Sequence, residues 1–139
     1  MTAISTPPVR AARWAPLGVL AGGLAGCAYL ALNDPSDPST AMPACPFHAV
    51  TGLWCPGCGG LRMVHALLHG RVGEAAHDNV VLLAASPVLL ALLLAWSVTT
   101  LRGGRFRLRI SPPVAVALFV LMLVWFVARN LPGFPLQPV

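Results

Sequence analysis

VVLLAASPVLLALLLAWSVTTL, residues Val80–Leu101, runs for twenty-two residues without a charged side chain. As a helix rising about 1.5 Å per residue it reaches about 33 Å, enough to cross a hydrocarbon layer of about 30 Å. Working outward, two further uncharged runs of nineteen residues stand on either side, Trp14–Leu32 and Ile110–Ala128. Charged residues make up 9% of the 139-residue chain, mean hydropathy is +0.76, and 57% of residues are hydrophobic. A water-soluble domain carries about 25% charged residues, so this chain has too few to cover itself with a solvated surface. The fold class that follows is an all-α membrane protein. It has three transmembrane helices, with one short amphipathic interfacial helix placed after a Cys-rich loop.

The segments between the runs set the boundaries. Residues 1–13 read as a cytoplasmic tail, 14–32 as the first span, and 33–79 as an extracytoplasmic Cys-rich loop with its amphipathic helix. Residues 80–101 form the second span, 102–109 an Arg-rich cytoplasmic loop, 110–128 the third span and 129–139 a C-terminal tail. Asn33-Asp-Pro-Ser-Asp-Pro-Ser-Thr40 breaks the first helix with two X-Pro bonds and turn formers. Ser86-Pro87 marks a kink inside the second span. Pro112-Pro113 suits the first turn of the third. In the first span Gly18, Gly22 and Gly26 recur every four residues and leave a bare face for a membrane-protein partner. Leu24-Ala25-Gly26-Cys27 has the look of a lipoprotein cleavage site. The apolar Ala28–Leu32 that follows favours Cys27 as a small residue within the span.

All nine basic residues are arginine, and the net charge is +5. In a soluble protein that balance would suggest nucleic acid. Here Arg102, Arg105, Arg107 and Arg109 lie between two apolar runs, where they read as topology determinants beside the lipid bilayer, and nucleic acid is set aside. With Arg10 and Arg13, six arginines fall on one side, against Arg62, Arg71 and Arg129 on the other. The positive-inside rule places the N-terminus in the cytoplasm and the cysteine loop outside, in a multi-pass protein of the cell (inner) membrane.

The chemistry concentrates in Cys45-Pro-Phe-His-Ala-Val-Thr-Gly-Leu-Trp-Cys-Pro-Gly-Cys-Gly-Gly-Leu-Arg62. The Cys55-Pro-Gly-Cys58 turn points two thiols at one centre, and Gly57 and Gly59 allow backbone shapes that a Cβ would obstruct. Cys45 offers a third ligand, and His48 or His65 a fourth, which together suit zinc. A second reading is a membrane thiol-disulfide protein acting through Cys55 and Cys58, with a helix beginning just after Cys58 to favour its thiolate. The βαβ pattern that accompanies thioredoxin-like motifs is missing from the sequence. A third reading is an accessory subunit of a membrane complex. None of them names a reaction. From Gly59 to His69, Leu61, Val64, Leu67 and Leu68 line one side of a helix and Arg62, His65 and His69 another. Arg62 is expected to donate to loop carbonyls or lipid phosphate, Asn79 to cap the second span, and Arg129 to anchor the third at the interface.

Cys45-Pro, Thr51-Gly52, Cys55-Pro-Gly-Cys58-Gly and Arg62, followed by Leu67-Leu68-His-Gly70, Ala75-Ala76 and Asn79, resemble the signature of the domain-of-unknown-function 2752 family of small bacterial membrane proteins. The resemblance runs from Cys45 to Arg129-Asn130 and departs at Gly60-Leu61, where the family usually has threonine or a similar residue before the motif arginine. It implies the membrane architecture and the importance of the motif residues, Gly52 among them, and implies no substrate.

Overall fold

The computed structural model describes residues 9–40, 42 and 45–136, with side chains from Arg13 onward. The first eight residues of the expected N-terminal tail and the last three of the C-terminal tail lie outside the described residues. Among these residues five helices follow one another: α1 (Val9–Leu32), α2 (Pro46–Thr51), α3 (Gly60–Leu68), α4 (Val72–Leu101) and α5 (Pro112–Arg129). No strand occurs among the described residues. Among the described residues three helices are long and apolar enough to cross a membrane, over Arg13–Leu32, Val72–Leu101 and Pro112–Arg129. This is a multi-pass membrane architecture.

α1 begins at Val9, ahead of the uncharged run, because Val-Arg-Ala-Ala-Arg has nothing to stop a helix. It ends where Asn33 folds back, its backbone N–H and its Nδ2 both donating to the Tyr29 carbonyl at 3.0 and 2.9 Å. Two Asp-Pro-Ser turns follow. Asp34 accepts from the Ser36 N–H, and Asp37 from the Ser39 N–H and hydroxyl, all within 2.8 Å. These donors hold both carboxyls below the usual range, the Ser36 N–H acting on Asp34 and the Ser39 hydroxyl foremost on Asp37.

α3 closes in a Schellman turn. Gly70 takes φ 72 and donates to Leu67, while Arg71 donates to Ala66. Its buried face differs from the expected one: Met63, His65 and Ala66 are buried, whereas Leu61 and Leu68 are exposed. Met63 and Ala66 meet Ala75 in a small cluster flanked by Val64, Leu67, Leu82 and Leu83. Small side chains there let α3 lie close on α4, and α1 packs on both. The end of the expected 33–79 loop is helical from Val72 to Asp78, continuous in sequence with the second span.

The break in α4 falls at Asn79 (φ −161, ψ 87), not at Pro87. Asn79 Oδ1 accepts the Leu82 N–H at 3.0 Å, the bond of a helix N-cap, so the second span restarts at that residue. At Pro87 the missing N–H would have gone to Leu83, and the Ser86 hydroxyl serves that carbonyl instead at 2.7 Å. The backbone therefore stays helical through the proline.

Arg13 Nε donates to Leu101 O, which joins the start of α1 to the end of α4. At the opposite end of the bundle lie the end of α1, α3, the cysteine segment and the last turn of α5. α5 is the outlier. Every residue from Ser111 to Val124 is exposed, and α5 has no packing against another helix comparable to that among α1, α3 and α4. Its buried residues are Trp125 and Arg129, at its last turn.

Candidate metal centre

Cys45 stands at the N-cap of α2, with Pro46 at the first helical position. α2 is six residues long and stops at Gly52, which takes φ 70 and donates to His48 O. Thr51 donates to Phe47 O and accepts from Leu53 N, which turns the chain back toward Cys45. The Cys55-Pro-Gly-Cys58 turn then closes with Cys58 N–H on Cys55 O at 3.1 Å. Together these two turns bring Cys55 Sγ to 3.0 Å from Cys58 Sγ and 3.5 Å from Cys45 Sγ. All three sulfurs lie within 4.8 Å of one another, and each is a free thiol. A disulfide would hold two of them at about 2.05 Å, whereas thiolates around one tetrahedral zinc stand about 3.8 Å apart. Three cysteines so placed could hold a metal ion.

The frame of this turn comes from the ends of two spans. Asn130 pairs with Trp54 in both directions, accepting its N–H at 2.9 Å and donating to its carbonyl at 3.0 Å. Asn79 Nδ2 donates to the carbonyls of Pro56 and Cys58. Trp125 Nε1 also reaches Pro56 O, at 3.3 Å. Arg129 is fully buried; it donates to Cys58 O at 2.8 Å and to Asp78 O at 3.2 Å, with its guanidinium 5.2 Å from the centre of the Trp125 ring. Arg129 is thus a strut within the protein, not the interfacial anchor expected of it. A guanidinium can serve two carbonyls at fixed angles while stacking on an indole, and that geometry outcompetes snorkelling to the surface.

Glycine is required at position 59. Gly59 adopts φ 80, and a Cβ there would meet the Asp78 carbonyl oxygen at 2.6 Å. That oxygen is available because the cap at Asn79 has taken the Leu82 N–H that a continuous helix would have sent to it. Gly57 lacks this constraint, since a Cβ there would lie 4.0 Å from Cys55 Sγ.

The thiols differ in their readiness to ionise. Nearby backbone N–H, chiefly that of His48, draws the Cys45 thiol below its ordinary range without a formed cap hydrogen bond. Burial, with the neighbouring sulfurs next, pushes the Cys58 thiol up to about 12. A cation between the sulfurs would remove that difference, because a coordinating thiol is deprotonated outright.

Of the other candidate ligands, His48 stands beside the sulfur cavity. Its ring stacks on Trp54 at 4.0 Å, its Nδ1 lies 3.2 Å from Leu53 O, and it borders a cavity of about 410 Å³ also lined by Cys45, Cys55, Cys58 and Arg62. His65 goes elsewhere: its Nδ1 is 2.6 Å from Leu30 O, which staples α3 to the end of α1. His69 Nδ1 lies on His65 O and the two rings are 4.3 Å apart. Arg62 pairs with Asp78 at 3.7 Å. The described residues include every His, Cys, Asp and Glu of the chain, and none beyond the three cysteines joins the 4.8 Å group. Trp54, Trp125 and Asn130 were not legible as site residues. The only hint was two polar residues, Arg129-Asn130, ending an apolar run.

Asn79→Ala should cost about 2 kcal/mol, as it removes a helix cap and two donors to carbonyls that each keep a second partner. Thermal unfolding in detergent checks this, and Asn79→Ser, which keeps a cap acceptor, should recover part of the loss.

Residues 45–93 match the model of a family described as a protein of unknown function (DUF2752). The match ends before the Arg129-Asn130 pair. No curated protein and no solved structure matches the chain.

Proposed function

For this chain of the DUF2752 family, we propose a non-enzymatic membrane protein whose cysteine loop is folded around one zinc ion. Cys45, Cys55 and Cys58 are the ligands, and His48 supplies the fourth. The observation that carries this reading is the convergence of three free thiols within 4.8 Å. The preference for His48 over His65 rests on second-shell chemistry. A proton on Nδ1, donated to Leu53 O, leaves the Nε2 lone pair for a metal, and the ring borders the sulfur cavity. The six-to-three arginine count supports a loop outside the cytoplasm and a C-terminus on the same side, in the inner membrane. The open Gly18, Gly22 and Gly26 positions, with nothing within 4 Å of a Cβ at any of them, leave room for a partner helix.

Elemental analysis of the detergent-purified chain should find about one zinc per chain, lost in Cys55→Ser and retained in His65→Ala. A specific observation favours one rival. Cys55 and Cys58 stand 3.0 Å apart, close enough to close a disulfide with little motion. Metal-free protein with a reducible Cys55–Cys58 bridge, read by alkylation before and after reduction, would replace zinc by thiol-disulfide chemistry.

A further inference from the structure

Three sulfurs converge where a tetrahedral ion asks for four donors. We propose that the same three thiolates accept a monovalent thiophilic cation, the cuprous ion, bound by sulfur alone and without His48. The inference rests on the three-thiolate metal reading above and changes what that centre is for: it becomes an acceptor for a soft metal ion as well as a staple.

Donor chemistry is the first argument. The chain's carboxylates are engaged elsewhere, Asp34 and Asp37 in their turns, Glu74 with Arg71 and Asp78 with Arg62. The centre therefore offers no carboxylate ligand. Thiolate and thioether donors select cuprous ion and zinc over calcium, magnesium or manganese. Between those two the number of donors decides, because a closed-shell cuprous ion is satisfied by three thiolates in a plane and zinc is not.

The position of His48 is the second. Its edge lies on Leu53 O and its face on Trp54. Zinc must recruit its Nε2 to close a tetrahedron, whereas a cuprous ion leaves the ring stacked where it is. Access is the third. The cavity that borders the sulfurs is about 410 Å³ and has Met42 in its wall, so the way in passes a thioether as well as thiols.

The test is an anaerobic titration of the full-length, detergent-purified chain. Cuprous ion is buffered by a chromogenic chelator, and a parallel zinc titration is run. One cuprous ion should bind per chain, displace zinc, and hold at least about 100-fold tighter. X-ray absorption at the copper edge should show sulfur scatterers only, and at the zinc edge one nitrogen as well. His48→Ala should weaken zinc at least about tenfold while sulfur-only cuprous binding persists. Zinc retained against stoichiometric buffered cuprous ion overturns the inference and leaves the zinc centre standing. A nitrogen scatterer at the copper edge, or equal weakening of both ions by His48→Ala, also overturns it. Binding of neither ion overturns this inference and the zinc reading together. Cys45→Ser should abolish the displacement; should that variant fail to fold, the wild-type spectra and His48→Ala still decide.

Discussion

Arg129→Gln is expected to destabilise the protein by about 3 kcal/mol, a fall in Tm on the order of 10 °C in detergent. The reason lies in which carbonyls depend on this side chain. Asn79 caps the second span by taking the Leu82 N–H, and that leaves Asp78 O without its helical donor. Arg129 supplies one at 3.2 Å and reaches Cys58 O at 2.8 Å with its other amino group. The bond to Cys58 O is buried and that to Asp78 O part-buried, so loss of the guanidinium leaves Asp78 O poorly solvated, and an unmet acceptor shielded from water costs about 1–3 kcal/mol. Cys58 O keeps Asn79, and the stacking on Trp125 is lost as well. Arg129→Lys keeps the charge and lacks the fork, so it should recover less than half of the loss. A further consequence follows from α5 itself. Its shaft has little helix packing, and the struts at Trp125, Arg129 and Asn130 hold it to the cysteine turn. Hydrogen exchange in residues 54–58 should therefore rise in the glutamine variant more than exchange within α1. Unchanged Tm and exchange would refute this account of Arg129.

Gly59→Ala is expected to cost at least about 3 kcal/mol, and Gly57→Ala close to nothing. Two terms add at position 59. An L residue at φ 80 pays roughly 1–2 kcal/mol for its left-handed conformation. The new methyl would also lie 2.6 Å from a backbone oxygen, which cannot rotate away as a side chain can. Relief requires the Cys58–Gly60 turn to move off α4, which carries the Cys58 sulfur away from the other two. The variant should therefore lose metal as well as stability. At Gly57 the nearest atom to a Cβ is Cys55 Sγ at 4.0 Å, an ordinary contact, and no positive φ is required. The pair of variants separates a requirement of the fold from mere sequence pattern. Equal losses at both positions would remove the argument from the Asp78 carbonyl.

The membrane architecture was legible in Val80–Leu101 and its two neighbouring runs, since the length of an uncharged stretch against the thickness of a bilayer is a local quantity. The gathering of Cys45, Cys55 and Cys58 was legible for a similar reason: two of the three share one turn and the third lies ten residues away. The rest depended on packing between residues far apart in the chain. The break at Asn79 won over Pro87 because a side-chain cap and two loop carbonyls reward it, while Ser86 mends the gap at the proline. His65 turned inward because a carbonyl at the end of α1 awaited it, thirty-five residues upstream. Arg129 gives no local sign of its partner, seventy-one residues away. Apolar length and short-range turns are written in the sequence itself; which buried polar group meets which orphaned carbonyl is decided only once the helices are side by side.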